Sequence, residues 1–189
     1  LSGTISPADS CSLAPRVTSG VTYTGTNAGS TNDGVDACNA GGATPPDVWY
    51  QYIPASSGSA TISLCGTLFD AVLSVHSGCP GTLVNAIQCA DDSCGVGSGG
   101  IVTIPVTAGV PYFIRITGYA NPPSLGDTGT FVMKITGPPG YANEDCNGNA
   151  VLDACEPALT GPAVTVPPST TAACVGGSAS FSVTAIGQP

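Results

Sequence analysis

Between Asp145 and Glu156 the chain sets out oxygen-bearing groups at a regular interval. Counted from Asp145, positions 1, 3, 5, 9 and 12 are Asp145, Asn147, Asn149, Asp153 and Glu156, and position 7 offers the carbonyl of Val151. That is the oxygen pattern of a twelve-residue calcium loop, whose seventh ligand is a backbone oxygen and whose twelfth is a bidentate carboxylate. Two features depart from it: Ala150 stands where a glycine usually makes the sharp turn, and no flanking helix is legible. Three carboxylates on such a turn place the expected dissociation constant on the order of 10⁻⁴–10⁻³ M, the range of extracellular modules. The alternative is a solvated acidic turn closed by a cross-link between Cys146 and Cys155, worth roughly 2–3 kcal/mol on the chain-entropy account.

A second group of carboxylates lies upstream. Asp91 and Asp92 follow a candidate strand, and if the fold brings Asp70 and Asp47 beside them they would form a second calcium site. The alternative is that these aspartates cap turns through their own backbone amides.

Nine cysteines, scattered singly and without the paired spacing of zinc sites, read as the disulfide framework of an exported protein. Nearest-neighbour pairing expects Cys11 with Cys38, Cys65 with Cys79, Cys89 with Cys94 and Cys146 with Cys155. It leaves Cys174 over, for a partner in another chain or in sequence beyond this one.

Catalytic chemistry finds few residues. His76 is the sole histidine and there is no G-x-S-x-G elbow, so a Ser-His-Asp triad would have to use a histidine whose place near a strand end reads as structural. Gly95, Gly97 and Gly100 spell G-x-G-x-x-G, but the run leads into a strand rather than a helix, and it reads as a loop. The glutamates are Glu144 and Glu156, both at the calcium loop, which leaves no glutamate for a glycosidase cleft. Tyr119, in a loop, is the one aromatic placed to stack on a sugar. The chain does not read as an enzyme.

These residues need a scaffold, and composition says what kind. Glycine (26), proline (17) and β-branched residues dominate, in short alternating runs divided by turn clusters, which is an all-β pattern. Strands are expected over residues 48–53, 59–64, 71–76, 84–90, 101–106, 112–117 and 130–136. In the first, Val48, Tyr50 and Tyr52 share one face and Trp49 and Ile53 the other, as in a strand buried on both sides. The expected fold is therefore a β-sandwich. Gly137-Pro138-Pro139-Gly140 interrupts the pattern, so residues 1–137 are read as the sandwich, 138–157 as a hinge with the calcium loop, and 158–189 as a Pro/Thr-rich linker with further strands.

With 8% charged residues and a net charge of −9, the chain has no basic surface for nucleic acid or anionic lipid, while its acidity suits Ca²⁺. No run of 18 or more apolar residues occurs, so no membrane span is expected. No signal peptide precedes Leu1, which reads as a processed or trimmed start.

Three stretches resemble known families. Asp47-Val48-Trp49-Tyr50-Gln51-Tyr52, Phe69-Asp70-Ala71-Val72-Leu73-Ser74-Val75-His76, Cys89-Ala90-Asp91-Asp92-Ser93-Cys94 and Gly109-Val110-Pro111-Tyr112-Phe113-Ile114-Arg115-Ile116 together look like the bacterial pre-peptidase C-terminal domain, in the variant found in planctomycete-type surface proteins. That resemblance implies an extracellular jelly-roll-like antiparallel β-sandwich appended to secreted enzymes and surface proteins. The segment from Asp145 to Glu156 is similar to calcium loops of dockerins and thrombospondin type 3 repeats. Residues 163–183, with Cys174-Val175-Gly176-Gly177-Ser178, resemble the opening strands of a bacterial immunoglobulin-like domain.

The expected function is an extracellular structural or adhesive surface module, a self-associating subunit of a filament through C-terminal strands carrying Val164, Val166, Phe181 and Val183, with Cys174 able to lock neighbours. Its expected partners are copies of itself or neighbouring domains of a larger surface protein. The alternative is a non-catalytic accessory module of a larger secreted enzyme, binding carbohydrate or protein.

Overall fold

The computed structural model describes residues 5–39, 44–95, 97–120 and 125–141, together with the backbone of three short strands, Ser2–Gly3, Ala163–Val166 and Thr184–Ile186. The strands are β1 (Ser2–Gly3), β2 (Arg16–Val17), β3 (Thr22–Thr26), β4 (Asp47–Tyr52), β5 (Gly58–Ser63), β6 (Ala71–His76), β7 (Ala86–Ala90), β8 (Ile101–Val106), β9 (Tyr112–Gly118), β10 (Thr130–Thr136), β11 (Ala163–Val166) and β12 (Thr184–Ile186). Among the described residues there is no α-helix, only a 3-10 turn at Cys11–Leu13. Chain contacts divide the molecule into two compact units, Leu1–Asn143 and Glu144–Pro189.

In the first unit one sheet runs β1-β3-β10-β5-β8 and the other β2-β4-β9-β6-β7. Apart from the β6–β7 hairpin, the chain from β3 to β10 alternates between the sheets, so that sequence-distant strands become neighbours in a double-sheet, jelly-roll-like sandwich, the β-sandwich expected of this all-β chain. The period-2 pattern decides which side chains go inward. In β8, Val102, Ile104 and Val106 are buried while Ile101, Thr103 and Pro105 face out, and in β10 Phe131, Met133 and Ile135 are buried. Pro105 cannot donate to a ladder, and β8 is an edge strand. The two inner faces meet in one core that includes Tyr50, Tyr52, Ile62, Leu73, Ile114, Ile116 and Phe131.

The second sheet is buried on both faces. Beyond the core side, Asp47, Trp49, Ser74, His76, Arg115 and Thr117 are buried as well, because the segment between β3 and β4 and the β6–β7 connection at Gly81 and Asn85 lie across them. Arg115 holds that segment down: its guanidinium pairs with Asp36 of the segment and, at 2.5 Å, with Asp47 of β4. Trp49 Nε1 donates to Asp47 at 3.2 Å, and the backbone N–H of Gly34 reaches the same carboxylate at 3.1 Å.

Residues 138–141, expected to open the hinge, lie on the sandwich. Gly140 bridges Pro54, the Ala55 N–H donates to the Pro139 carbonyl at 2.8 Å, the Tyr141 N–H donates to Ile53, and the Tyr52 hydroxyl donates to Pro138. Gly140 is required there: a Cβ would sit 2.6 Å from the Val17 carbonyl and 2.9 Å from the Tyr52 ring.

Three disulfides cross-link the first unit, with a pairing that corrects the nearest-neighbour expectation. Cys11 bonds Cys79, Cys38 bonds Cys89 and Cys65 bonds Cys94, at Cα separations of 5.7, 6.0 and 5.4 Å. Strand alternation is the reason. Cys89 lies opposite Ser74 in the β6–β7 ladder, on the outer face covered by the segment that carries Cys38, so its side chain points away from the loop that carries Cys94.

In the second unit β11 and β12 pair antiparallel, with Ala163 opposite Ile186 and Val166 opposite Thr184. The strand expected over residues 178–183, with Phe181 and Val183, lies outside the described residues.

Candidate metal centre

Two ladders bring a group of carboxylates to one end of the sandwich. In the β6–β7 hairpin Leu73 pairs with Ala90, which carries the residues just before β6 and just after β7 past each other and sets Asp70 beside Asp91 and Asp92. On the other side β6 pairs with β9, Ala71 opposite Gly118, and the next residue, Tyr119, donates its N–H to the Asp70 carbonyl at 2.8 Å. The Tyr119 carbonyl then accepts the Asp127 N–H at 3.1 Å, so Asp127 returns to the same end. Gly118 makes this approach possible, since a Cβ there would lie 1.8 Å from the Asp127 carbonyl oxygen.

One oxygen from each of Asp70, Asp91 and Asp92 lies within 4.8 Å of the others. Asp70 Oδ1 and Asp91 Oδ1 are shut off from solvent with no N–H or hydroxyl donor against them, and the two carboxyls hydrogen-bond each other when one carries a proton. A buried carboxylate oxygen without a partner is costly unless a proton or a cation sits between it and its neighbour. The electrostatics agree. Burial, then the charges of Asp70 and Asp92, push the Asp91 carboxyl up to about 6, and burial, then Asp92 and Asp127, raise that of Asp70. The donors are hard carboxylate oxygens with no imidazole or thiolate among them, a set that suits Ca²⁺ or Mg²⁺ rather than a transition metal. Asp92 is preset in a left-handed conformation with φ of 54°; its Oδ1 accepts the Gly97 N–H at 2.6 Å and its carbonyl accepts the Gly95 N–H.

The expectation that Asp47 joins this group does not hold. Asp47 is taken up by Arg115, Trp49 and Gly34 in the buried layer; its carboxyl is nonetheless raised to about 6, because burial outweighs the opposing pull of Arg115. Asp127 was not singled out in the sequence, where Gly126-Asp127 reads as a turn. The oxygen set Asp145, Asn147, Asn149, Val151, Asp153 and Glu156, and Cys146, Cys155 and Cys174, lie outside the described residues.

His76 has the hydrogen-bond order of a nucleophile triad but not its access. Ser74 Oγ lies 3.0 Å from His76 Nε2, and His76 Nδ1 lies 3.1 Å from Asn85 Oδ1. Ser74 and His76 are both 0% exposed, so a substrate carbonyl has no path to the hydroxyl. Burial also lowers the histidine pKa from its ordinary value, which leaves a neutral ring tilted against Trp49 at a centroid distance of 5.5 Å. This is a satisfied core histidine.

The cross-links are those of a protein that folds in an oxidising environment. No helix among the described residues is long and apolar enough to cross a membrane. No protein-family model matches the chain. No curated protein matches it either. Among solved structures it is similar to a family 35 carbohydrate-binding module from an environmental isolate, at 20% identity and a TM-score of 0.31, over 57% of this chain and 85% of that one.

Proposed function

We propose that this chain is a non-catalytic extracellular module of a cell-surface assembly, structural or adhesive in role, whose loop end is fixed by calcium. The observation that carries the reading is the convergence of two solvent-shielded carboxylate oxygens, Asp70 Oδ1 and Asp91 Oδ1, beside Asp92. A dehydrated Ca²⁺ would satisfy both and offset the mutual repulsion of the group, with water or backbone oxygens completing its shell. The segment from Asp145 to Glu156 supplies a second calcium loop. Self-association through the C-terminal strands is supported by β11 and β12, an antiparallel pair of the kind that can accept a further strand from another chain. Copies of this chain, or neighbouring domains of a larger surface protein, are the partners that fit.

Calorimetric titration of the full chain with Ca²⁺, in an Asp145→Ala background that silences the second loop, tests the ion site. We expect binding in the 10⁻⁴–10⁻³ M range that is lost in Asp91→Asn. Identical titrations of the two proteins would refute the site.

A further inference from the structure

The sandwich has four edge strands, β1 and β8 in one sheet and β2 and β7 in the other. An open edge is a row of unpaired N–H and C=O groups ready to take another strand, and proteins blunt it with brevity, proline or charge. β1 and β2 are two residues long, β2 carries Arg16, and β8 carries Pro105. β7, Ala86–Ala90, has neither charge nor proline, and the whole stretch from Ser77 to Ala90 is without a charged residue in a chain of net charge −9. Its one irregularity is a bulge at Ile87, which has no partner on β6 and leaves an isoleucine, 40% exposed, at the rim.

The turn that leads into β7 holds two more apolar side chains in water. Leu83 and Val84 are 61% and 97% exposed, and the turn is tied from inside so that it does not fold back over them. Asn85 Oδ1 accepts the Thr82 N–H at 2.8 Å and lies 3.1 Å from His76 Nδ1, while its Nδ2 donates to the carbonyls of Gly78 and Pro80 at 3.2 and 2.8 Å. Cys79 is bonded to Cys11, and Gly81 sits so close to Trp49 that a Cβ would lie 2.4 Å from the ring. Apolar side chains fixed in place before binding lose little conformational freedom when a partner covers them.

We propose that β7 and the turn before it are a pairing surface for a second copy of this chain, the two β7 strands lying antiparallel across a two-fold axis near Ile87 and continuing the sheet from one copy into the next. A second copy brings the same unblunted edge and the same apolar side chains, so each satisfies the other, as a two-fold contact requires. Charge selects the orientation. Asp91 and Asp92 follow β7 at one end only. Parallel pairing would set them beside their own copies, about 4.8 Å away. Antiparallel pairing puts Asp91 four residues from the axis in each copy, which separates the two by about 26 Å, well beyond the screening length of about 8 Å at physiological ionic strength. The contact lies in the sandwich and rests on neither the calcium site nor the C-terminal strands.

Sedimentation velocity of the full chain over a concentration series tests the contact, in a Cys174→Ser background with and without Val164→Pro, which breaks the β11–β12 ladder. With Val164→Pro we expect a dimer that grows no further, because a two-fold contact closes on itself. Val84→Asp and Ile87→Asp should each weaken that dimer about tenfold or more through like-charge repulsion. Leu68→Asp, which adds the same charge at an exposed site by the other end of β6, should leave it unchanged. Mixing Ile87→Asp with Ile87→Lys should restore a mixed dimer, since the axis sets the two side chains face to face. A chain that is monomeric at every concentration, or a dimer that Val84→Asp and Ile87→Asp leave intact, overturns the pairing. Association that vanishes with Val164→Pro alone overturns it too and leaves the C-terminal reading standing. A closed dimer that is the same with and without Val164→Pro supports the β7 contact and removes the C-terminal one.

Discussion

At the scale of single residues, Asp91 is the most informative side chain. Its folded-state pKa, raised from 3.8 to about 6, means that the ion-free folded protein holds a proton there more tightly than the unfolded chain does. The stability this contributes is present below about pH 4 and is lost as pH rises through about 6. Calcium replaces the proton and should cancel the loss. Thermal melts in chelator should therefore fall in Tm between pH 4 and pH 7, and the fall should flatten in Ca²⁺. Asp47, raised in the same sense, adds a falling component that calcium leaves untouched, so in the Asp145→Ala background the difference between the two curves isolates the Asp70, Asp91 and Asp92 group. A difference that does not change with pH would show that Asp91 is not part of an ion site.

At the scale of elements, the feature to explain is a sheet covered on much of its outer face by a segment with no strand among its described residues. A hydrophobic layer would do this with less specificity. Here Arg115, 1% exposed, ties β9 to β4 through Asp47 and to the covering segment through Asp36. Removing the cation leaves two carboxylates buried without their partner, and breaking a buried pair from one side typically costs about 3–5 kcal/mol. Arg115→Met should lose that much in denaturant unfolding. Asp36→Asn and Asp47→Asn added to it should recover a large part, because the triple variant buries no unpaired charge. A single variant within 1 kcal/mol of wild type would mean that the covering segment is held by its disulfide bond, Cys38–Cys89, and not by the ion pairs.

At the scale of the whole molecule, the charge balance bears on assembly. Eight of the acidic residues belong to described parts of the sandwich, against three basic residues in the chain, and the net charge of −9 makes copies repel one another at low ionic strength. Calcium at the acidic end lowers that repulsion while the C-terminal strands supply edges for pairing. Light scattering of the full chain should show association that rises with Ca²⁺. A covalent fraction on non-reducing electrophoresis should vanish in Cys174→Ser if that cysteine links neighbours. A chain that stays monomeric in Ca²⁺, at concentrations that saturate the ion site, would count against the assembly role and favour a solitary module.

The all-β class, the position of most strands and the oxidising compartment were legible in the residues themselves. Period-2 alternation is a local property: the strands at 101–106 and 130–136 fall where the alternation puts them, while Ala71–His76 is a short apolar run buried along its whole length. β3 was not seen, because Thr22–Thr26 carries a single buried apolar side chain, Tyr23, among threonines and a glycine. Which cysteine meets which, whether Asp47 faces a cation or an arginine, and which aspartates converge were decided only by tertiary structure. Each depends on register across a sandwich in which most neighbouring strands are far apart in sequence, and a shift of one residue turns every side chain to the opposite face. Asp70 and Asp91 are adjacent because β6 and β7 share one register, and Asp127 joins them because β6 also pairs with β9. Spacing along the chain carries no trace of that second contact.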